Sequence, residues 1–271
     1  MKLSGKIAVV TGGAQGIGRA IAAALIAEHA DVAILDLDPD AVSKTAHDLG
    51  AYGAVCDVTQ PSAIQEVIKD ITHHLGNIDI WVSNAGVISA DPDHVASASD
   101  QIWQLAWDIH VMAHVWAARA LLPDMIARGS GYFVNTASAA GLLSQIGDAP
   151  YSATKAAAIS FAQSLAISHG DDGIRSSVIC PQYVASSMLG YDANDIIPDH
   201  PGLLTTTDVA RAVIDGMKEQ QFLILPHPIV TEYAKLRAGN PEKWIKGMQK
   251  LRRRILSQTE GIDPKTMHLL I

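Results

Sequence analysis

Cysteine is almost missing from this chain: Cys56 and Cys180 are the only two in 271 residues, far apart and each within an apolar run. Two isolated thiols make neither a disulfide framework nor a zinc site, so both read as reduced core residues. No apolar run approaches the ~20 residues that cross a bilayer. The apolar stretch before Thr11-Gly12-Gly13 is too short for a secretory leader, and a cytoplasmic protein is expected. A basic excess is missing as well. The net charge is −8, which argues against nucleic acid as the main partner. The imbalance is uneven, because residues 228–271 carry nine Lys and Arg against four Asp and Glu, leaving +5 there and −13 elsewhere. Arg252-Arg253-Arg254, with Lys243, Lys246 and Lys250, reads as a solvated helix face rather than a membrane anchor. There is no internal repeat, low-complexity stretch or linker, so residues 1–271 read as a single domain.

What is present is a strict alternation of patterns. Short apolar runs at Ile7–Thr11, Val32–Asp36, Gly53–Cys56, Ile80–Ser83, Tyr132–Thr136, Ser177–Cys180 and Phe222–Leu225 read as buried strands. Helical periodicity fills the intervals near 17–29, 40–49, 61–75, 99–128, 152–169 and 207–220. Alternating β and α predicts an α/β fold built on a doubly wound parallel sheet of about seven strands. Two stretches fall outside the pattern. Residues 182–206 form a long, Gly- and Pro-punctuated connection expected to be a substrate loop, and 228–271 a helical extension that the sheet does not need.

The first strand runs into Gly12-Gly13-Ala14-Gln15-Gly16-Ile17-Gly18 and then a helix. Glycines there let backbone N–H groups approach a pyrophosphate at a helix N-terminus. The second strand ends at Asp36, where a carboxylate accepts from ribose hydroxyls. No Gly-Lys-Ser/Thr follows, which excludes a P-loop. A carboxylate repels the extra phosphate of NADP, and neither Gln15 nor Leu37 offers a charge to neutralise it. NAD is therefore the expected cofactor.

The turn Thr11-Gly12-x-x-x-Gly16-x-Gly18, Ser83-Asn84-Ala85-Gly86 after the fourth strand, and Tyr151-x-x-x-Lys155 together resemble the short-chain dehydrogenase/reductase family over about residues 4–227. The resemblance implies a Rossmann-type domain. It places Gly12, Gln15, Gly16, Ile17 and Gly18 at the pyrophosphate, Asp36 and Leu37 at the adenosine ribose, and Asp57 and Val58 at the adenine. Asn84, Ala85 and Gly86 would pass the ribose, and Pro181, Val184 and Ser186 would cradle the nicotinamide. Ser138, Tyr151 and Lys155 would be catalytic. The sequence departs from the family at Ser83, at Gln182 in place of a glycine, at Ser186 in place of Thr, and at His110 in place of the relay Asn. His110 either takes over that relay or is a packed histidine. His110 and His114 share a helix face but lack a third ligand, so no metal is expected.

Oxidising a secondary alcohol removes a proton from oxygen while hydride leaves carbon. A tyrosine of ordinary pKa about 10 is a poor base at neutral pH. The Lys155 ammonium, one helical turn beyond Tyr151, and the positive nicotinamide ring are together expected to lower that value; the lysine would also hold the nicotinamide ribose, while Ser138 orients the substrate oxygen. Leu142, Leu143, Ile146, Tyr183, Met188 and Leu189 are the expected substrate contacts. They are mostly apolar and without a cation, which predicts a neutral hydrophobic alcohol or ketone. The family resemblance also predicts a homo-oligomer, a tetramer or a dimer. The alternatives are an NADP-linked carbonyl reductase and a non-catalytic dinucleotide-binding protein.

Overall fold

The computed structural model describes residues 1–91, 93–191, 195–197, 200, 202–263 and 265–270. Pro198 and Pro201 of the substrate loop and Ile271 of the extension lie outside the described residues.

Seven strands make one parallel sheet: β1 (Ile7–Thr11), β2 (Asp31–Asp36), β3 (Tyr52–Val55), β4 (Ile80–Ser83), β5 (Gly131–Thr136), β6 (Ile174–Ile179) and β9 (Leu223–Ile224), in the order β3-β2-β1-β4-β5-β6-β9. The register pairs Val9 with Ala33 on one side and with Trp81 on the other. Successive residues point to opposite faces. Val10, Ile34, Val82 and Val134 therefore join one buried cluster, and Val9, Leu35, Trp81 and Phe133 another. The first cluster is closed by α1 (Gly16–Ala27) and α8 (Thr206–Glu219), the second by α3 (Pro61–His74) and α5 (Ala113–Ala127). Burial on both faces is why these strands read as unbroken apolar runs. β3 is the exception. As an edge strand it alternates, and Val55 is exposed.

Helix starts follow from side-chain caps. Asp38 caps α2 (Pro39–Leu49), and Thr205 with Asp208 forms a reciprocal box at α8. The predicted helix over 99–128 is α4 (Asp100–Trp107) and α5 joined by a π-helical turn, Asp108–Met112, where Ala113 N–H reaches back to the Asp108 carbonyl. A short α6 (Ala139–Leu143) precedes α7 (Ala149–His169). The long connection after β6 contains β7 (Tyr183–Ala185) paired in parallel with β8 (Leu203–Thr205). Beyond β9 the chain forms α9 (Ile229–Gly239) and α10 (Pro241–Leu256), then turns back to a final short turn at Met267–Leu269. No helix is long and apolar enough to cross a membrane among the described residues.

Strand order reverses between β1 and β4, and the crevice at their carboxyl ends is where such sheets bind ligands. The site lies there.

Candidate functional site

A cavity of about 790 Å³ opens along the carboxyl ends of the strands. Every residue expected to hold the cofactor lines it except Gly18. At one end α1 begins after Gln15 without a side-chain cap, so its first N–H groups and the positive end of its dipole serve the cavity wall at Gly16 and Ile17. Gly16 takes a φ of +56°, and Gly12 packs so tightly that a Cβ would sit 2.9 Å from Ala85 Cα. Gly18 works behind the wall, where an added Cβ would lie 2.1 Å from the Gly12 carbonyl oxygen. The Asp36 carboxylate accepts from the N–H groups of Ala14 (3.1 Å) and Leu37 (2.8 Å), which fixes its place on the wall. Asn84 staples the β1 turn from β4. Its amide donates to the carbonyls of Thr11 (3.0 Å) and Gly12 (3.2 Å), and the Thr11 hydroxyl accepts from the N–H groups of Asn84 and Ala85. Ser83 accepts from the Trp81 indole at 3.1 Å. An open glycine cradle, uncapped helix N–H groups and a placed carboxylate fit a dinucleotide.

At the other end stand Ser138, Tyr151 and Lys155, all buried and all on the cavity wall. Ser138 caps α6, accepting from the Ala140 N–H at 3.1 Å. Asp148 caps α7, accepting from the Tyr151 N–H at 3.1 Å and from the Ser89 hydroxyl at 2.9 Å, and so fixes the turn that carries the phenol. Lys155 Nζ donates to the Thr136 carbonyl at 2.8 Å.

Without the nicotinamide, burial governs the electrostatics here. Burial pushes the Tyr151 phenol up to about 12, and nearby Asp148 and Cys180 also raise it, while a hydrogen bond with the Ser138 side chain lowers it. Burial likewise brings the Lys155 ammonium down to about 7. The lowering of the phenol by Lys155 is therefore not present in the protein alone: desolvation penalises both charged forms and dominates.

His110 sits in the π-helical turn, fully buried behind Gly86 rather than on the wall. Its Nε2 accepts from the Val87 N–H at 3.1 Å, which puts the proton on Nδ1 for donation to Thr154 Oγ1 at 2.8 Å. Burial and the Lys155 charge hold its pKa well below 6.5. His114, one turn on, is pushed down to about 3, chiefly by burial. No metal-binding group of side chains occurs among the described residues.

The substrate residues divide. Tyr183, Met188 and Leu189 line the cavity, beside Ile88 and Gln145. Leu142 and Leu143 do not; they pack with Val230 and Trp244 of the C-terminal helices, and Ile146 is also off the wall. The extension claims them because α9 and α10 bury their own apolar side chains there. Two residues escaped the sequence reading. His227, between two prolines, accepts from the Gln182 N–H at 3.1 Å through Nδ1 and donates through Nε2 to the Tyr183 carbonyl at 3.0 Å, clamping the substrate loop. Lys265, far away in sequence, brings a cation to the cavity where none was expected.

The family model for short chain dehydrogenases matches residues 6–196. Oxidoreductase UcpA of Escherichia coli K12 is 35% identical over 219 residues, covering 78% of this chain and 81% of that protein. Meso-2,3-butanediol dehydrogenase of Serratia marcescens is 32% identical, covering 69% and 75%. A short chain dehydrogenase/reductase from Burkholderia phymatum, solved in complex with NAD, superposes with a TM-score of 0.81 at 26% identity, over 89% of this chain and 96% of that one. With its seven-stranded sheet, glycine turn and Ser-Tyr-Lys constellation, the chain belongs to the short-chain dehydrogenase/reductase family of oxidoreductases.

Proposed function

We propose that this protein is an NAD-dependent dehydrogenase that interconverts an apolar secondary alcohol and its ketone. The observation that carries the reading is the Tyr151 phenol, buried on one cavity wall with the Ser138 hydroxyl and with Lys155 Nζ 5.5 Å from its ring, in a cavity whose other end is the glycine turn.

Gly12, Gln15, Gly16 and Ile17 would hold the pyrophosphate, Asp36 the adenosine ribose and Lys155 the nicotinamide ribose. The nicotinamide, when bound, supplies the acceptor or donor of hydride. The rest is the work of the chain. Ser138 orients the substrate oxygen toward Tyr151. In reduction the phenol would deliver its proton to the carbonyl oxygen; in oxidation the phenolate would take the hydroxyl proton. His227 fixes the backbone of Gln182 and Tyr183, where the chain enters the apolar stretch that holds Met188 and Leu189. Asp36 supports NAD over NADP through repulsion of a 2′-phosphate, and the Burkholderia phymatum neighbour in complex with NAD agrees with that choice. The Serratia marcescens relative, a butanediol dehydrogenase by name, supports an alcohol substrate. A cytoplasmic homo-oligomer, tetramer or dimer, completes the proposal. Leu105 and Trp107 on α4 and Ile167 on α7 are exposed on the helices that would pair.

The test is NADH appearance with NAD+ and a graded panel of apolar secondary alcohols, from 1-phenylethanol to hydroxysteroids, with NADP+ in parallel. Turnover with NAD+ is expected. Faster turnover with NADP+ would overturn the cofactor assignment, and silence with both would favour a non-catalytic dinucleotide-binding protein.

A further inference from the structure

After α10 the chain returns to the site. Ile255 and Met267 are buried where the return begins and ends, and Arg254 donates to the Leu270 carbonyl at 3.0 Å. Between these points the tail touches both walls of the substrate end. Ile262 packs on Gly147, in the connection between α6 and α7, so closely that a Cβ on Gly147 would lie 2.5 Å from it. His268 Nε2 bonds the Tyr191 hydroxyl at 2.7 Å, and the His268 ring lies 5.7 Å from the ring of Tyr183 on the opposite wall. Lys265 falls between these two anchors and lines the cavity.

Its position is polarised. The carboxylates on the cavity wall, Asp36 and Asp57, follow β2 and β3, on the far side of the β1–β4 reversal from Tyr151 and Tyr183. The Lys265 side chain is exposed, and its ammonium has no ion-pair partner among the described residues. Gln182 also lines the cavity, and its Oε1 is buried without a hydrogen-bond partner among the described residues. The neighbouring walls, Tyr183, Met188 and Leu189, are apolar. A single exposed ammonium suits a monoanion; a phosphate dianion asks for more donors.

We infer that Lys265 determines specificity: the C-terminal tail carries it across the mouth of the substrate end, where it pairs with a carboxylate at the distal end of an otherwise apolar alcohol or ketone. This deepens the dehydrogenase reading and rests on it. It also amends the expectation of a neutral substrate.

The test compares 4-(1-hydroxyethyl)benzoate and hydroxy fatty acids of graded length with their methyl esters, in the wild type, Lys265→Met and Lys265→Glu. The wild type is expected to favour an acid over its ester about five- to tenfold in kcat/KM, carried by KM. Lys265→Met should bring that ratio close to one, and Lys265→Glu should invert it. A ratio untouched by either substitution overturns the inference, as does a loss of NADH affinity that matches the loss with the acid, which would assign Lys265 to the cofactor. Calorimetric binding of 4-acetylbenzoate and its ester to the NAD+-loaded protein, a combination that cannot turn over, separates the two levels. Lys265-dependent binding of the acid without turnover of any alcohol keeps the site and overturns the dehydrogenase reading. Turnover of alcohols without a preference for acids does the reverse.

Discussion

Lys155 Nζ stands 5.5 Å from the centroid of the Tyr151 ring while donating its hydrogen bond to the Thr136 carbonyl. Burying the pair costs stability, because the ammonium has no carboxylate partner among the described residues and its pKa falls from 10.5 to about 7. A lysine whose folded pKa is depressed favours folding least at low pH. Its stabilising share is present above 10.5 and is lost as pH falls toward 7, below which the loss is complete. Lys155→Met should therefore abolish turnover yet raise Tm. The gain should be largest below pH 7, roughly 4 kcal/mol before the lost hydrogen bond is counted, and should shrink as pH rises toward 10. Calorimetric Tm differences across that range check the sign. A gain that grows with pH would mean that folding raises the lysine's pKa and favours its ammonium.

The phenol carries a matching prediction. With Tyr151 pushed up to about 12, the cofactor-free protein should contain no Tyr151 phenolate below about pH 11. Ultraviolet difference titration of the wild type against Tyr151→Phe reads this directly. The same shift makes the oxidation rate rise with pH through the neutral range, while reduction, which needs the phenol protonated, stays level. A phenolate appearing near neutrality in the absence of cofactor would show that burial does not control this group.

The hydrogen bonds of His110 favour the packed histidine of its two sequence readings, and the pH–rate profile is the test. Both ring nitrogens are committed, one to Val87 and one to Thr154, and burial keeps the ring neutral. That arrangement suits a lock joining the β4 loop to α7 better than a group that takes and releases protons. His110→Ala should cost about 2–4 kcal/mol through the cavity and the orphaned Val87 N–H. It should lower kcat by loosening Gly86 and Lys155, and it should leave the shape of the pH–rate profile unchanged. A displaced profile would put His110 on the proton path.

His110, His114 and His227 are all held below 6.5 by burial. The unfolded chain binds protons at these rings below 6.5 when the folded chain does not. Stability should therefore fall as pH drops below 6.5, as measured by urea midpoints at pH 7.5 and 5.5. His110→Ala should flatten that dependence.

The sheet was legible because strands buried on both faces read as apolar runs, and β3 read less well because an edge strand alternates. Asp36, the glycine turn and Tyr151 with Lys155 were legible because each is local: a turn chemistry, a strand end, one helical turn. The π-helical turn at His110 was not, since one extra residue leaves the apolar periodicity of 99–128 almost unchanged. Leu142 and Leu143 misled for a related reason. Their apolar character predicts burial, but only the docking of Val230 and Trp244 decides what they bury against. Lys265 reaches the cavity through the long return of the tail to Tyr191, and no spacing in the sequence encodes that path.

Gly16 and Gly18 separate two reasons for a glycine. Gly16 needs its left-handed backbone, at φ +56°, and the nearest atom to an added Cβ is 3.8 Å away. Gly16→Ala should cost about 1–2 kcal/mol of backbone strain and weaken NADH binding at the wall it lines. Gly18 has an ordinary φ, but its Cβ would sit 2.1 Å from the Gly12 carbonyl oxygen and 2.5 Å from the Asn84 amide. The Asn84 staple would have to move with it. Gly18→Ala should therefore cost about 3 kcal/mol or more, as overpacking against backbone does, and should lower Tm further than Gly16→Ala although Gly18 never reaches the cavity. The order of the two Tm values, measured without cofactor, is the check. If Gly16→Ala proved the less stable variant, contact between the turn and β4 would not be what holds the cofactor end together.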